Sequence, residues 1–415
     1  MKKIIMFLFS ISISAQNVST FAGSCSEVDR GLVNGIGTLA RFYNPSAITV
    51  DIDGNFYISD SNNNCIRKIT PNGLVSTLAA CPSNFPVSVA VDSQKNVFFS
   101  AANYIYKINA GSNVASVFAG SNIAGYVDGT GTNSQFHNPV GLAIDMNDNI
   151  YVADKFNHRI RKITNLGVVT TFAGSTPGNA NGDLTNAKFN GLEGIIIDSL
   201  GNFFVADTNN NQIKKISTDG QVTTYIGNGT QDYVDGIGMV VSLNQPINLT
   251  IDSYNNIYFV SKNSNTIRCI TPTMNVTTIA GDRYDGWGYC QNGLGINAHF
   301  SHPTGLIINQ TGSIYVADNV TNTIRKITGL LSTNNFNYNS SIIITPNPTT
   351  SNFYIGFENF SSCKLSIFDM NGRILQKNIV TEKNTSVDIS NLIKGVYLIQ
   401  INSDQGTVFK KIIKE

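Results

Sequence analysis

The chain contains a repeating unit of about 50 residues, and this repeat limits the possible folds more than any other feature of the sequence. The clearest copy runs from Phe136 to Gly174 and contains four short segments: F-H-N-P-V-G-L-A-I-D, N-D-N-I-Y-V-A-D, N-H-R-I-R-K-I and V-V-T-T-F-A-G. Each segment has the length and alternation of a β-strand, and Gly, Asn or Asp residues that favour turns separate the segments. A repeated unit of four strands predicts the blade of a β-propeller.

Six copies of the unit can be counted from their second strands. These strands are F-Y-I-S-D (Phe56 to Asp60), V-F-F-S-A (Val97 to Ala101), I-Y-V-A-D (Ile150 to Asp154), F-F-V-A-D (Phe203 to Asp207), I-Y-F-V-S (Ile257 to Ser261) and I-Y-V-A-D (Ile314 to Asp318). An outer strand resembling V-T-T-F-A-G follows every unit except the last, and the same motif occurs near the N-terminus, at Val18 to Gly23. We therefore predict an all-β, six-bladed β-propeller with four-stranded blades over residues 17–328, which the N-terminal strand closes.

The composition agrees with an all-β protein and argues against nucleic acid as a partner. Charged residues make up 13% of the chain and the formal net charge is +1, so no excess of positive charge is available to bind phosphate backbones. Gly is abundant, and Asn, Thr, Ile, Val, Tyr and Phe are the residues of turns and strands. Because 415 residues exceed what one core usually serves, we expect one large and one small domain.

The first 15 residues have the layout of a cleavable signal peptide. Lys2 and Lys3 precede an apolar run, Ile4 to Ile13, and the small residues Ser14 and Ala15 follow it. A membrane anchor is the alternative, but about 10 apolar residues fall short of the ~20 that a spanning helix requires. The sequence therefore predicts export.

The six cysteines lie beyond this segment, and their spacing matches no zinc pattern such as C-x-x-C. Small buried thiols are the favoured interpretation, although disulfides persist in an oxidising compartment. If a pair is bridged, the candidates are Cys25, Cys81 and Cys290, which the repeat alignment places in loops on one face. No metal or other cofactor is predicted.

Residues 329–341 are rich in Asn and Ser and lack periodicity, which predicts a flexible linker. Beyond them, alternating patterns predict half-buried strands. These are I-I-I-T (Ile342 to Thr345), F-Y-I-G-F (Phe353 to Phe357), K-L-S-I-F-D (Lys364 to Asp369), V-D-I (Val387 to Ile389), V-Y-L-I-Q-I (Val396 to Ile401) and V-F-K-K-I-I (Val408 to Ile413). We expect residues 342–415 to form a small C-terminal β-sandwich.

The repeat resembles a known family. Its pattern F-x-x-P-x-G-L-A-x-D, x-G-N-x-Y-V-A-D, N-x-x-I-R-K-I is similar to the NHL repeat over about Asn17 to Thr328. An extra D-G-x-G turn, at Asp128 to Gly131 and Asp235 to Gly238, is similar to that of bacterial secreted copies and of animal adhesion proteins. The resemblance implies recognition more often than catalysis.

The C-terminal domain resembles the type A sorting domain of bacterial type IX secretion. The motifs are P-N-P-T from Pro346, D-M-N-G-R from Asp369, D-I-S-N-L-I-K-G-V-Y-L-I from Asp388 and a basic ending, K-K-I-I-K, from Lys410. The residues chosen from these motifs are Pro346, Asn347, Pro348, Asp369, Gly372, Gly395 and Tyr397. The resemblance implies passage through the periplasm, recognition by the outer-membrane secretion machinery and, usually, removal of the domain. An ordinary sandwich that serves adhesion is the alternative.

Two sets of carboxylates recur in the repeats. One set heads the turns after the first strands, where turn formation explains it, at Asp51, Asp92, Asp145, Asp198 and Asp252, with Asn309 in the sixth unit. The other set ends the second strands, at Asp60, Asp154, Asp207 and Asp318, on the face where the first strands begin. A ring of carboxylates there could bind a cation, but two units have Ala101 and Ser261 instead, so hydrogen bonding to adjoining loops is favoured.

The four histidines, His137, His158, His299 and His302, are expected on that same channel face. His137 and His302 belong to opposite blades and are candidate binding residues. A lyase that resembles NHL propellers in fold uses histidines there with a metal, so a metal-dependent lyase or a lactone hydrolase is the alternative function. Zinc requires imidazoles that converge on one ion. Because His158 belongs to the common N-H-R stretch, the enzyme is not the favoured interpretation.

A basic pair recurs on the third strands and could suggest RNA binding. The pairs are Arg67 and Lys68, Arg161 and Lys162, Lys214 and Lys215, and Arg325 and Lys326. Neighbouring residues of a strand point to opposite sides, so only one of each pair can line a surface. We expect solvated side chains that pair with neighbouring blades instead. The sequence thus predicts a monomeric, secreted or cell-surface recognition scaffold that binds an extracellular protein or glycan.

Overall fold

The computed structural model describes residues 16–25, 29–83, 85–283, 288–329, 342–357, 363–369, 374–380, 384–403 and 406–415. The chain divides into two compact units, Met1–Leu330 and Leu331–Glu415. The predicted signal peptide, residues 1–15, and residues 330–341 of the predicted linker lie outside the described residues. Within the described part of the chain, no helix is long and apolar enough to cross a membrane.

The first unit is a β-propeller of antiparallel sheets around a central channel. Its described residues form six sheets, five with five strands and one with four. The innermost strands of successive sheets contact each other in sequence order, and the last of them, Pro303–Ile308, contacts the first, Pro45–Val50. The ring therefore closes, and the sheets are called blades 1 to 6 in the order of their innermost strands.

The strands of each blade follow one another from the channel outward. Blade 1 comprises Pro45–Val50, Phe56–Asp60, Cys65–Ile69, Leu74–Ala80 and Gly35–Ile36, and blade 2 comprises Ser88–Val91, Val97–Ala101, Tyr104–Ile108 and Ala115–Gly120. Blade 3 comprises Pro139–Ile144, Ile150–Asp154, Arg159–Ile163, Val168–Ala173 and Gly129–Thr130, and blade 4 comprises Ile195–Ile197, Phe203–Asp207, Gln212–Ile216, Gln221–Ile226 and Gly182–Asp183. Blade 5 comprises Pro246–Ile251, Ile257–Ser261, Thr266–Ile270, Asn275–Ala280 and Gly236–Ile237, and blade 6 comprises Pro303–Ile308, Ile314–Asp318, Thr323–Thr328, Asn17–Ala22 and Gly293–Leu294.

The prediction of four-stranded blades is wrong for every blade except blade 2. In the others, the loop that enters the blade runs along the outer strand and pairs with it at two residues, as Gly35 does with Val75 and Ile36 with Leu74. Two paired residues have no alternation that a sequence pattern could reveal. Blade 2 lacks this fifth strand because the loop that enters it is the shortest.

The N-terminal strand completes blade 6, as predicted. Asn17–Ala22 pairs antiparallel with Thr323–Thr328. Val18 is completely buried and belongs to the same apolar cluster as Ile314 and Ile327. The N-terminal segment therefore supplies both backbone hydrogen bonds and core contacts to the last blade.

The cysteines whose side chains the structure describes divide into two groups. Cys25 and Cys290 form a disulfide with their Cα atoms 5.7 Å apart, across a sequence separation of 265 residues. Cys65, Cys81 and Cys269 are buried and lie outside this disulfide. The favoured prediction of buried thiols is thus confirmed for these three and wrong for Cys25 and Cys290, because the N-terminal strand brings the loop that follows it beside the loop that enters blade 6.

The apolar core of the propeller lies between neighbouring blades. In blade 3, Ile150 and Val152 belong to the cluster shared with blade 2, whereas Tyr151 and Ala153 belong to the cluster shared with blade 4. A second strand therefore buries both of its faces, and all five residues of Ile150–Asp154 are buried. This explains why the second strands read as continuous apolar runs that end in one acid.

The second unit consists of two antiparallel sheets. One has the strand order Ile342–Thr345, Asn352–Phe357, Asn384–Asp388, and the other has the order Ile374–Val380, Cys363–Phe368, Gly395–Ser403, Gly406–Lys414. Their buried residues, among them Phe353, Leu365 and Ile399, form one apolar cluster. The strand Ile374–Val380 was not predicted, because three polar residues, Q-K-N, interrupt its alternation.

Candidate functional site

The loops that enter the first strands and the turns that join second to third strands lie together on one face, called the entry face. In blade 3 the N–H of Phe156, in such a turn, donates to the carbonyl of His137, in such a loop, at 3.2 Å. Below this face the innermost strands enclose a channel cavity of about 290 Å³. Its lining is mainly aliphatic, with Thr49, Ser88 and Thr250 among the few polar side chains.

The carboxylates at the ends of the second strands are parts of the framework. In blade 3, Asp154 accepts hydrogen bonds from the N–H of His137 at 2.8 Å, from Asn157 at 2.7 Å and from Arg161 at 3.2 Å. The equivalent acids also each accept a loop N–H and lie beside a buried basic side chain; these acids are Asp60, Asp207 and Asp318. Each acid therefore ties the entering loop of its blade to the third strand.

All four of these aspartates have 0% exposure. Burial raises the pKa of Asp207 and of Asp318 to about 6, and the neighbouring cations Lys214 and Arg325 oppose this rise. The structure places the four carboxylates in four different blades and does not bring them together on a surface. A ligand on the entry face cannot contact them without first opening a blade.

The expectation that the basic pairs are solvated is wrong for the first member of each pair. These first members are completely buried, at Arg67, Arg161, Lys214 and Arg325. The second members each place their Nζ over an aromatic ring, at Lys68, Lys162, Lys215 and Lys326. The correction follows from the strand geometry. The first member of each pair lies on the same side of its blade as the second-strand aspartate, and a neighbouring blade covers that side.

The acids after the first strands form turns, as predicted. Asp51 accepts hydrogen bonds from the N–H groups of Asp53 at 3.0 Å and Asn55 at 2.8 Å, and from the hydroxyl of Tyr57 at 3.0 Å. The same pair of N–H bonds recurs at Asp92, Asp145, Asp198, Asp252 and Asn309. Their side-chain oxygens are used in these turns, so nothing in their contacts requires a ligand.

A ring of hydrogen bonds between blades, which the sequence analysis missed, also occupies the entry face. In each described blade, a side chain near the end of the second-to-third turn accepts the N–H of a residue in the next entering loop. The pairs are Asn64 with Phe85, Asn103 with Asn138, His158 with Gly191, Asn211 with Gln245, Asn265 with His302, and Asn322 with Asn44. The signal was an Asn or His four residues after the second-strand acid position in every blade except blade 2, and these residues tolerate the left-handed backbone found at the five positions.

The candidate histidines belong to this framework and are not brought together. His302 donates its N–H to Asn265 at 2.9 Å. His137 donates its N–H to Asp154, and its ring meets Phe156 edge-on with ring centres 5.1 Å apart. In the described part of the chain, no group of three or more His, Cys, Asp or Glu residues could hold a metal ion.

His158 replaces the usual asparagine in the ring of hydrogen bonds, and its Nδ1 accepts the N–H of Gly191 at 3.1 Å. Burial, and then the charge of Arg159, lower the pKa of His158. The folded state therefore binds this proton less readily than the unfolded state, so stability is complete above about pH 6.5 and decreases as the pH falls. His158→Asn should reduce this acid sensitivity by at most about 1 kcal/mol, because solvent screens the partly exposed imidazole.

The measurement is the difference in melting temperature between about pH 7.5 and about pH 5 for the wild-type chain and for His158→Asn. The matched control is His137→Asn, because the imidazole of His137 accepts no hydrogen bond from a neighbouring blade among the described contacts. An equal acid shift in the wild type and in His158→Asn would contradict the role of His158.

One part of the entry face combines exposed aromatic rings with basic side chains. The guanidinium of Arg159 lies 4.1 Å from the centre of the Tyr126 ring. Lys155 pairs with Glu193 at 2.7 Å and also lies over the ring of Phe156 at 5.7 Å. Tyr126 is 57% exposed and Phe156 is 51% exposed. The blade 3 aromatic surface is defined as Tyr126, His137, Lys155, Phe156, Arg159 and Glu193.

The motif residues of the second unit lie at strand ends. The side-chain oxygen of Asn347 accepts the N–H of Ile413 at 2.9 Å, which joins the first turn to the last strand. Tyr397 donates its hydroxyl to the carbonyl of Ile393 at 2.5 Å. The other described motif positions are Pro346, Pro348, Asp369 and Gly395, and Gly372 lies outside the described residues.

Comparison with known families agrees with this architecture. Residues 42–69 and 136–163 match the NHL repeat, so the first unit is an NHL-repeat propeller. Residues 343–415 match the secretion system C-terminal sorting domain. The protein therefore combines an NHL propeller with a type IX sorting domain, which marks it for export to the cell surface or for secretion.

Curated relatives share only parts of their length with this chain. NHL repeat-containing protein 2 of Bos taurus is 38% identical over 102 residues, which cover 23% of this chain and 14% of that protein. Teneurin-4 of Homo sapiens is 24% identical over 351 residues, which cover 69% of this chain and 12% of that protein. The chain therefore spans less than a fifth of either relative.

Solved structures show the same fold. An auxiliary nutrient binding protein from Bacteroides thetaiotaomicron has a TM-score of 0.61 at 17% identity, covering 75% of this chain and 76% of that one. A protein of unknown function from the same organism has a TM-score of 0.60 at 20% identity, covering 76% of both chains. At these identities the likeness establishes the fold alone.

Proposed function

We propose that this protein is an exported recognition protein whose propeller binds an extracellular protein or glycan through its entry face. The observation that carries the proposal is the division of the polar residues. Those that recur from blade to blade are used inside the framework, as Asp154 and Arg161 are. In contrast, Phe156 is exposed and differs from its counterparts in the other blades. A surface of varied side chains on a rigid repeated framework is suited to recognition.

Two comparisons support the proposal. The sorting domain marks the chain for the outside of the cell, where an extracellular ligand is available. One solved propeller of the same fold is named an auxiliary nutrient binding protein. Enzymatic function as a metal-dependent lyase or lactone hydrolase receives no comparable support, since the described residues contain no group of three or more His, Cys, Asp or Glu side chains that could hold a metal ion.

The test is a glycan and protein array probed with the full mature chain, together with elemental analysis and assays of lyase and lactonase turnover. We expect saturable binding to one ligand class, no stoichiometric transition metal and no turnover. About one zinc per chain, lost in His137→Ala or His302→Ala, would instead establish the enzyme. A chain that bound no array component and showed turnover would equally overturn the recognition role.

Removal of residues 346–415 should stop export at the periplasm, because this deletion removes the part that the outer-membrane secretion machinery is proposed to recognise. The propeller should stay folded, since its apolar clusters are formed by its own residues. Cell fractionation measures the location, and circular dichroism of the recovered protein measures folding. Tyr354→Phe, at an exposed position of the same unit outside the sorting motifs, serves as the mild control. Truncated protein at the cell surface would defeat the sorting role.

A further inference from the structure

We propose that the blade 3 aromatic surface is a binding subsite for an acidic polysaccharide. This inference rests on the proposed recognition function and names the ligand class and the place where it binds. The surface combines two half-exposed rings, Tyr126 and Phe156, with a guanidinium at Arg159 and an ion pair between Lys155 and Glu193. Neither ring is buried enough to be a core residue.

The surface breaks the repeat at the positions of Phe156 and Arg159, whereas Tyr126 has a counterpart in Tyr233 of the loop that enters blade 5. The position of Phe156 is taken in the other blades with this turn by Asn62, Asn209, Asn263 and Val320, and the position of Arg159 by Cys65, Gln212, Thr266 and Thr323. Those blades adopt the same strand and turn geometry, so the fold does not require a Phe or an Arg there. The aromatic and basic side chains of blade 3 are therefore available for a ligand.

The two rings belong to one surface because their backbones are joined. Asn157, next to Phe156, donates from its side chain to the carbonyl of Gly125, next to Tyr126, at 2.7 Å. Arg159 donates to the carbonyl of Asn157 at 2.9 Å. This hydrogen bond and the contact with the Tyr126 ring together hold the guanidinium in place, so the cation is positioned before any ligand arrives.

The chemistry of these groups fits a sugar that carries a carboxylate. An aromatic face is negative and packs against the C–H-bearing face of a pyranose, while ring edges and nearby polar groups remain available to hydroxyls. Lys155 is neutralised by Glu193, but the described residues place no carboxylate within ion-pair distance of Arg159. Its planar guanidinium can bind a uronate carboxylate with two parallel hydrogen bonds. The unbalanced positive charge therefore selects an acidic over a neutral polymer.

The test is affinity electrophoresis and calorimetry of the full mature chain with polygalacturonate and with its fully methyl-esterified form, which keeps the sugar backbone and removes the charge. We expect binding to polygalacturonate that weakens as salt is added, and at least about tenfold weaker binding to the ester. Arg159→Gln should weaken binding to polygalacturonate about tenfold while leaving binding to the ester unchanged. Tyr126→Ala and Phe156→Ala should weaken binding to both polymers.

Phe85→Ala is the matched control, because Phe85 is an exposed ring of the same face in blade 2 and lies outside this surface. Melting curves of every variant exclude loss of folding as the cause. Equal binding of both polymers, or wild-type binding by Arg159→Gln and Phe156→Ala, would overturn the inference. If the array instead finds a neutral glycan or a protein ligand, the recognition function stands and this subsite assignment fails; if no ligand of any class binds, both fail.

Discussion

Replacing Asp318 by alanine should lower the free energy of unfolding by about 3–5 kcal/mol, because it leaves a buried charge without a counter-ion. Asp318 and Arg325 are completely buried and lie 3.2 Å apart. The remaining partners of the guanidinium are neutral: the carbonyls of His299 and Gln291 and the side-chain oxygen of Asn292. Urea denaturation of the full chain, followed by circular dichroism, measures the loss.

Two variants make this prediction specific. Asp154→Ala should cost less, because Arg161 keeps a second carboxylate, Asp128, at 2.6 Å. Adding Arg325→Tyr to Asp318→Ala should recover part of the loss, because blade 2 already has Ala101 and Tyr106 at the equivalent positions. This double variant removes both charges together and leaves neither of them unpaired.

The surface ion pair between Lys95 and Asp53 provides the control. Asp53→Ala should leave the denaturation curve almost unchanged, because exposed ion pairs contribute little to stability. If Asp318→Ala were as mild as Asp53→Ala, the buried pairs would not stabilise the blades, and the framework role assigned to the second-strand aspartates would have to be given up.

The sequence predicts the strands whose residue pattern is several residues long and recurs from one repeat to the next. The second strands could be located because each has two buried faces and reads as one apolar run, as in Ile150–Asp154. The closing strand could be located because its motif, V-S-T-F-A-G from Val18, is found at one end of the chain and missing at the other. In both cases the signal is local and several residues long.

Features that depend on the meeting of distant segments could not be predicted in the same way. The pairing of Gly35 with Val75 involves only two residues on each strand. Cys25 and Cys290 were among three candidates for a disulfide, but the pair itself could not be chosen, because its partners are 265 residues apart and meet only when the ring closes. The role of the second-strand acids was left open for a related reason, although hydrogen bonding to the adjoining loops was favoured. A buried Asp and an exposed Asp at a strand end look alike in a sequence, and only the packing of the next blade separates them.

Deleting Val18 to Gly23 should lower the melting temperature by more than about 10 °C, because blade 6 loses its fourth strand and exposes a long edge. The strand Asn17–Ala22 pairs along Thr323–Thr328, and Val18 fills a place in the apolar cluster of blade 6. Its removal therefore costs backbone hydrogen bonds and core burial together. The melting curve of the full chain, followed by circular dichroism, measures the effect.

Point variants distinguish the contribution of the strand's buried side chain from the effect of shortening the chain. Val18→Asp should reproduce a large part of the loss, because it buries an unpaired charge, whereas Asn17→Asp at the exposed neighbouring position should not. Because the disulfide of Cys25 with Cys290 also joins the first and last segments, reduction should lower the melting temperature of the deletion variant further. An unchanged melting curve after deletion would mean that blade 6 is stable without its N-terminal strand and that the ring does not depend on this closure.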